Sequence, residues 1–219
     1  AVRRQRQMCI RDSILRARVE LHKQAKRSSD KLLLEQQDAV AEALGYEDAD
    51  LLMADVASAA RRISWNIDEL CYGIENVGLS GVWNFGKKVG DTIKGKRKPV
   101  SSTLLADMDI TPEQVLRIAL QTARNQERFS PETIRRLRQA NLVILDPWTD
   151  ELRELFIDLL LVGHDAIPVF ETLDQLDLFV PLLPEWKPAR SRPQRNAYHR
   201  FTVDRHLLET AAEASKLAD

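Results

Sequence analysis

Apolar residues along this chain recur three and four positions apart, and no segment alternates for more than four residues in the manner of a half-buried strand. From Ser13 to about Ala25, Ile14, Leu15, Val19 and Leu21 fall near helical spacing between Arg16, Arg18 and Glu20, which predicts a first helix. Ser28-Ser29-Asp30 offers a cluster of N-capping side chains. A second helix is expected after it, with Leu33, Leu34, Gln37, Val40, Ala41 and Leu44 on one stripe and Gly45 as its stop. A third opens near Asp48 and carries Leu51, Leu52, Ala54, Val56, Ala59, Ile63 and Ile67 to about Tyr72.

The periodicity breaks between Gly73 and Ser102. That stretch holds six of the eight glycines, the Lys87-Lys88 pair and the basic run from Lys94 to Lys98. It reads as a linker or a flexible insertion, with Trp83 and Phe85 as anchors to the core. A phosphate loop is not formed there, because Gly81 to Lys87 is followed by Lys88 where the motif needs Ser or Thr.

Helical spacing then resumes with explicit start signals. Thr111-Pro112-Glu113-Gln114 combines a capping threonine, a proline at the first helical position and a glutamine three residues on. Ser130-Pro131-Glu132 repeats the device for a helix carrying Ile134, Leu137 and Ala140. Asp146 to Asp150 starts another, whose Leu152, Leu155, Phe156, Leu159 and Leu160 form a broad apolar face ending at Gly163. After Pro168 a short pattern through Leu173 and Phe179 is expected to stop at Pro181 and Pro184. Lys187 to Arg195 is a proline-rich, basic boundary, and a last helix begins with Thr202 or Asp204 as its cap and runs through Ala212 toward Asp219. The fold class expected is all-α.

Composition adds exclusions. No stretch reaches the roughly 18 to 20 uninterrupted apolar residues that cross a bilayer. A formal charge of −1 gives no basic excess for nucleic acid. Cys9 and Cys71 stand far apart, so no disulfide framework or zinc knuckle is implied, and a reducing cytoplasm fits. Residues 1–13 resemble a reading frame of a sequencing adapter and are read as an artefact; their four arginines and one aspartate mask a more acidic remainder.

Chemistry-bearing residues are few. His206 lies in the first turn of the last helix beside Asp204, and its role is open between metal ligation and a surface or capping histidine. His164, after Gly163, is assigned to the dipole at a helix C-terminus, and His22 to a solvated face. Arg61-Arg62, Arg135-Arg136 and Arg138 also read as solvated faces. Asp107 and Asp109 have a magnesium-binding spacing but lack the strand and Gly-Ser turn that nucleotidyl transfer needs, and no GxSxG or HExxH is present.

Leu176 to Trp186, followed by a basic spacer and then Tyr198-His-Arg-Phe-Thr-Val-Asp-Arg-His206, resembles the junction that opens the HD metal-dependent phosphohydrolase domain in PII uridylyltransferases. Ile14 to Leu21, Asp30 to Ala41 and Ser130 to Ala140 are similar to earlier helices of that family. The resemblance implies helices closing a nucleotidyltransferase region at 14–72, the insertion at 73–102, a central helical domain at 103–197 and the first HD helix at 198–219. It further implies a fragment of an enzyme that uridylylates, or adenylylates, the PII signalling protein and hydrolyses the modification. Mg2+ or Mn2+ and UTP or ATP would be used, and glutamine would act through ACT domains. His206 becomes the first metal ligand by this resemblance, His199 keeps no assigned role, and the fragment alone is expected to be inactive. The alternatives are a non-enzymatic helical scaffold and the start of a free-standing HD-type hydrolase.

Overall fold

The computed structural model describes residues 2–76, 99–100, 110–194 and 201–218. Trp83, Phe85, Asp107, Asp109, Tyr198 and His199 fall outside the described residues, as does the glycine and lysine-rich stretch apart from Pro99–Val100. The described residues are overwhelmingly helical, as the spacing predicts. Their strand content is a two-residue parallel pairing of β1 (Pro99–Val100) with β2 (Arg128–Phe129). The chain divides into two compact units, Ala1–Asn66 with Trp186–His206, and Ile67–Glu185 with Leu207–Asp219.

The first unit contains α1 (Val2–Ala25), α2 (Leu34–Leu44) and the first part of α3 (Ala49–Asn76). Its core sets Ala17 and Leu21 of α1 against Val40 and Ala41 of α2 and Ala49 and Leu52 of α3, with Leu32, Leu44, Tyr46 and Val56 at the margin. The predicted stripes supply these contacts only in part: Leu21, Val40, Ala41, Leu44, Leu52 and Val56 pack as expected, whereas Leu15, Val19, Leu33, Leu34, Leu51, Ile63 and Ile67 are exposed and Ala17 and Ala49 take core places that spacing did not assign. Gly45 closes α2 in the left-handed region at φ 79°, where a side chain would be strained. Tyr46 then turns the chain into α3. Its amide donates to Ala41 O and its hydroxyl donates to Asp55 Oδ2 at 2.6 Å; burial and that hydrogen bond push the phenol up to about 12. Asp48 caps α3 by accepting from Leu51 N at 2.7 Å.

The capping expectation for α2 is corrected. Leu33, not the Ser28-Ser29-Asp30 cluster, precedes the first turn, and Leu33 N donates to Gln36 Oε1 at 3.2 Å. Asp30 instead ion-pairs with Arg18 at 2.8 Å, and His22 Nε2 lies 3.0 Å from Ser29 O and 3.6 Å from Asp30. The Arg18 guanidinium attracts the carboxylate more strongly than a neutral amide does. His22 is thus a tether between α1 and the following loop, not a solvated residue.

The second unit is built around α4 (Pro112–Arg124), which buries Val115, Leu116, Ile118, Ala119, Leu120 and Ala123 against α6 (Asp150–Leu161) and α7 (Ile167–Gln175). Each predicted cap is in place. Thr111 Oγ1 accepts from Gln114 N while Gln114 Oε1 accepts from Thr111 N at 3.0 Å; Ser130 Oγ accepts from Thr133 N for α5 (Pro131–Leu137). For α6 the cap is Thr149, whose Oγ1 accepts from Leu152 N at 3.1 Å and donates to Glu113 at 3.1 Å. An aromatic run fills the far side. Trp148 meets Phe156 edge-on at 5.3 Å, and Phe170 lies 6.1 Å from Phe156 and 5.2 Å from Phe179.

Pro181 does not stop a helix here. α7 ends when Asp177 adopts φ 59°, and α8 (Phe179–Leu182) then begins, so Pro181 falls in a first turn where no amide donor is needed. Pro184 does mark an end, opening a single 3-10 turn through Trp186. α3 likewise runs through Gly73 to Asn76, past its expected end.

Candidate functional site

Of the residues that the sequence singles out, Arg61 and Asp204 meet at the start of α9 (Val203–Ser215), the helix that also carries His206. Val203 N donates to Arg192 O at 2.9 Å and His206 N to Thr202 O at 2.9 Å, so Thr202 occupies the capping position. Asp204, one of the two candidate caps, has another task. Its side chain is fully buried, and its Oδ2 accepts from Ser191 N at 2.7 Å and from the Arg61 guanidinium of α3. Arg61 also donates to Ser191 Oγ at 3.1 Å, and Arg205 N donates to Asp204 Oδ1 at 2.9 Å. Ser191 itself holds φ 57°, a left-handed turn that aims its amide at the carboxylate.

Arg61 therefore corrects a sequence expectation. It is mostly buried and paired, not part of a solvated face. The pairing joins residues 143 positions apart, a separation that no local pattern reports. One signal was available: at 100° per residue, positions two apart on a helix point about 200° away from each other, so Asp204 and His206 take opposite faces. The structure agrees, with Asp204 inside and His206 exposed.

Among the described residues no group of three or more His, Cys, Asp or Glu side chains is placed to hold an ion. Asp204, the carboxylate nearest in sequence, is committed to Arg61 and to two backbone amides.

Two further charged clusters belong to the second unit. Glu69 on α3 ion-pairs with Arg128 at 2.8 Å, and the Arg128 guanidinium stacks 4.8 Å from the Tyr72 ring centre. Burial raises the carboxyls of Glu69 and Asp68 above their ordinary range, against the pull of Arg128. The second cluster places His164 Nε2 3.4 Å from Glu209 and 3.2 Å from Glu213, both on α9. The hydrogen bond from Lys216 lowers the Glu213 carboxyl, with a smaller contribution from His164. His164 follows the end of α6 as expected, but these carboxylates engage it as well as the helix dipole. Both clusters read as joints between elements. Cys71 is a free thiol.

Comparison with known proteins decides the family. The sequence profile described as GlnD PII-uridylyltransferase matches residues 7–71, which include α2 and most of α3. A bifunctional uridylyltransferase/uridylyl-removing enzyme of Streptomyces coelicolor is 34% identical over 94% of this chain. The chain belongs to the PII-uridylyltransferase family. Enzymes of the same name from Mycobacterium tuberculosis and Photobacterium profundum are 30% and 25% identical over 94% and 95% of the chain. The chain spans about a quarter of these relatives, at 27%, 26% and 25% of their lengths. No solved structure matches it. Among the described residues no helix is long and apolar enough to cross a membrane.

Proposed function

We propose that this chain is the connecting helical region of a cytoplasmic enzyme that uridylylates the PII nitrogen-regulatory protein and removes the modification hydrolytically. The 34% identity over 94% of the chain to an enzyme named for both activities carries the reading. In it, residues 14–72 close the nucleotidyltransferase region, 73–102 form an insertion, 103–197 are the central helical domain and 198–219 open an HD phosphohydrolase domain. His206, exposed on α9, is the first metal ligand of the hydrolytic centre in this reading. Mg2+ or Mn2+ would supply Lewis acidity to both centres when bound. UTP is the donor proposed first, with ATP the alternative, and glutamine is the proposed effector, acting through ACT domains.

In this reading the described residues other than His206 provide the frame rather than the chemistry. Capped, well-packed helices such as α4 and α6 suit a supporting role of this kind. The 219-residue chain alone is therefore expected neither to transfer nor to remove the nucleotide. The test incubates it with PII protein and labelled UTP, and separately with uridylylated PII and Mn2+. No label should be incorporated and none released; turnover above the enzyme-free background in either arm would contradict the assignment.

A further inference from the structure

The sequence places a carboxylate two residues before His206, and such a neighbour is readily taken for a second ligand of the same ion or for the group that orients the imidazole. The structure gives Asp204 a different set of partners. Its side chain is fully buried, its Oδ2 receives the Arg61 guanidinium and the Ser191 amide, and its Oδ1 receives Arg205 N. Arg61 in turn reaches Ser191 Oγ at 3.1 Å, so the same two side chains hold both the 186–192 segment and the first turn of α9. The Val203 amide, bonded to Arg192 O at 2.9 Å, closes a second tie between these segments.

We infer that the Arg61–Asp204 pair is a buried anchor that fixes the first turn of α9 and thereby aims His206, making Arg61 and Asp204 positioning residues for the hydrolytic centre. The inference rests on the proposed role of His206 and deepens it. Helical geometry links the two ends: with Asp204 locked inward, His206 must project from the opposite side of the same turn, about 200° away. Rotation of that turn would move the imidazole off line while pulling Asp204 from its donors. A fully buried carboxylate with three of its roughly four lone-pair sites taken by a guanidinium and two amides is committed to those donors, so Asp204 acts through the backbone. Arg61 lies within the stretch that matches the family profile. The anchor is therefore a mechanical link between that helical segment and the helix that bears His206.

The test uses the full-length enzyme with Arg61→Ala, Arg61→Lys, Asp204→Asn and His206→Ala. Uridylyl transfer and uridylyl removal are assayed in parallel, together with hydrogen exchange of peptides covering residues 187–194 and 201–208. His206→Ala should abolish removal, and its failure to do so overturns the underlying reading of His206. Arg61→Ala and Asp204→Asn should lower removal at least tenfold and speed exchange in both peptides, while transfer stays within twofold. Arg61→Lys, which keeps the charge, should recover removal to within about threefold of the parent. If His206→Ala abolishes removal but Arg61→Ala leaves it within twofold, the positioning role is wrong. Equal loss of transfer and removal in Arg61→Ala, without recovery in Arg61→Lys, would also overturn it by showing a general folding role.

Discussion

Gly163 ends α6 at φ 76°, and a Cβ built there would lie 2.9 Å from Ser215 Oγ and 3.7 Å from Ala212 O. Gly163→Ala thus meets two separable penalties. The left-handed backbone alone costs a non-glycine residue about 1–2 kcal/mol. The contact adds to this, because Ser215 must swing away and give up its 2.9 Å hydrogen bond to Ala212 O, worth about 0.5–1.5 kcal/mol. The sum is about 1.5–3.5 kcal/mol. Gly45→Ala isolates the first penalty, since Gly45 has nearly the same φ of 79° and nothing within 4 Å of its Cβ position. It should cost about 1–2 kcal/mol.

Urea unfolding of the 219-residue chain, followed by far-UV circular dichroism, measures both, and Ser215→Ala completes a double-mutant cycle with Gly163→Ala. The hydroxyl clash predicts a coupling of about 1 kcal/mol, the double variant being less damaged than the sum of the singles. Strict additivity within about 0.3 kcal/mol would refute the claimed approach of α9 to the end of α6. A Gly163→Ala cost no greater than that of Gly45→Ala would do the same.

Two other substitutions test the packing. Thr149→Ala removes an N-cap acceptor and the hydroxyl that donates to Glu113, and should destabilise the chain by about 1–2 kcal/mol in the same unfolding assay, with Thr149→Ser retaining most of the stability. Glu69 has its carboxyl raised by burial above the ordinary 4.5, so its neutral form favours folding: the contribution is present below about pH 4.5 and is lost as pH rises through the higher folded value. Glu69→Gln should accordingly gain stability relative to the parent on going from pH 4 to pH 7, and a difference independent of pH, or of opposite sign, would show that Arg128 outweighs burial.

Much of this fold is written locally. Thr111, Ser130 and Thr149 cap helices because short oxygen-bearing side chains meet orphan amides two or three residues on, and that geometry needs no tertiary partner. Gly45 and Gly163 end helices for an equally local reason, their positive φ. The misreadings share another cause. Asp30 reads as a cap until Arg18 and His22 are brought alongside it, and Arg61 reads as a solvated charge until Asp204 is folded against it. Which charge meets which depends on tertiary placement, whereas periodicity reports only which face is apolar. Pro181 differs again: the break at Asp177 starts a new first turn that accepts proline, and the helical pattern still ends at Leu182, before Pro184.

The candidate site was legible as a motif and not as a mechanism. Spacing located His206, and resemblance gave it a role, but the buried function of Asp204 emerges only from its partners Arg61 and Ser191.

The central claim is that this helical region carries His206 into the hydrolytic centre of a two-activity enzyme. His206→Ala in the full-length enzyme tests it most directly, with both reactions followed on PII protein in the same preparation. The account predicts that uridylyl transfer stays within twofold of the parent while uridylyl removal falls at least a hundredfold. Removal that survives unchanged would contradict it.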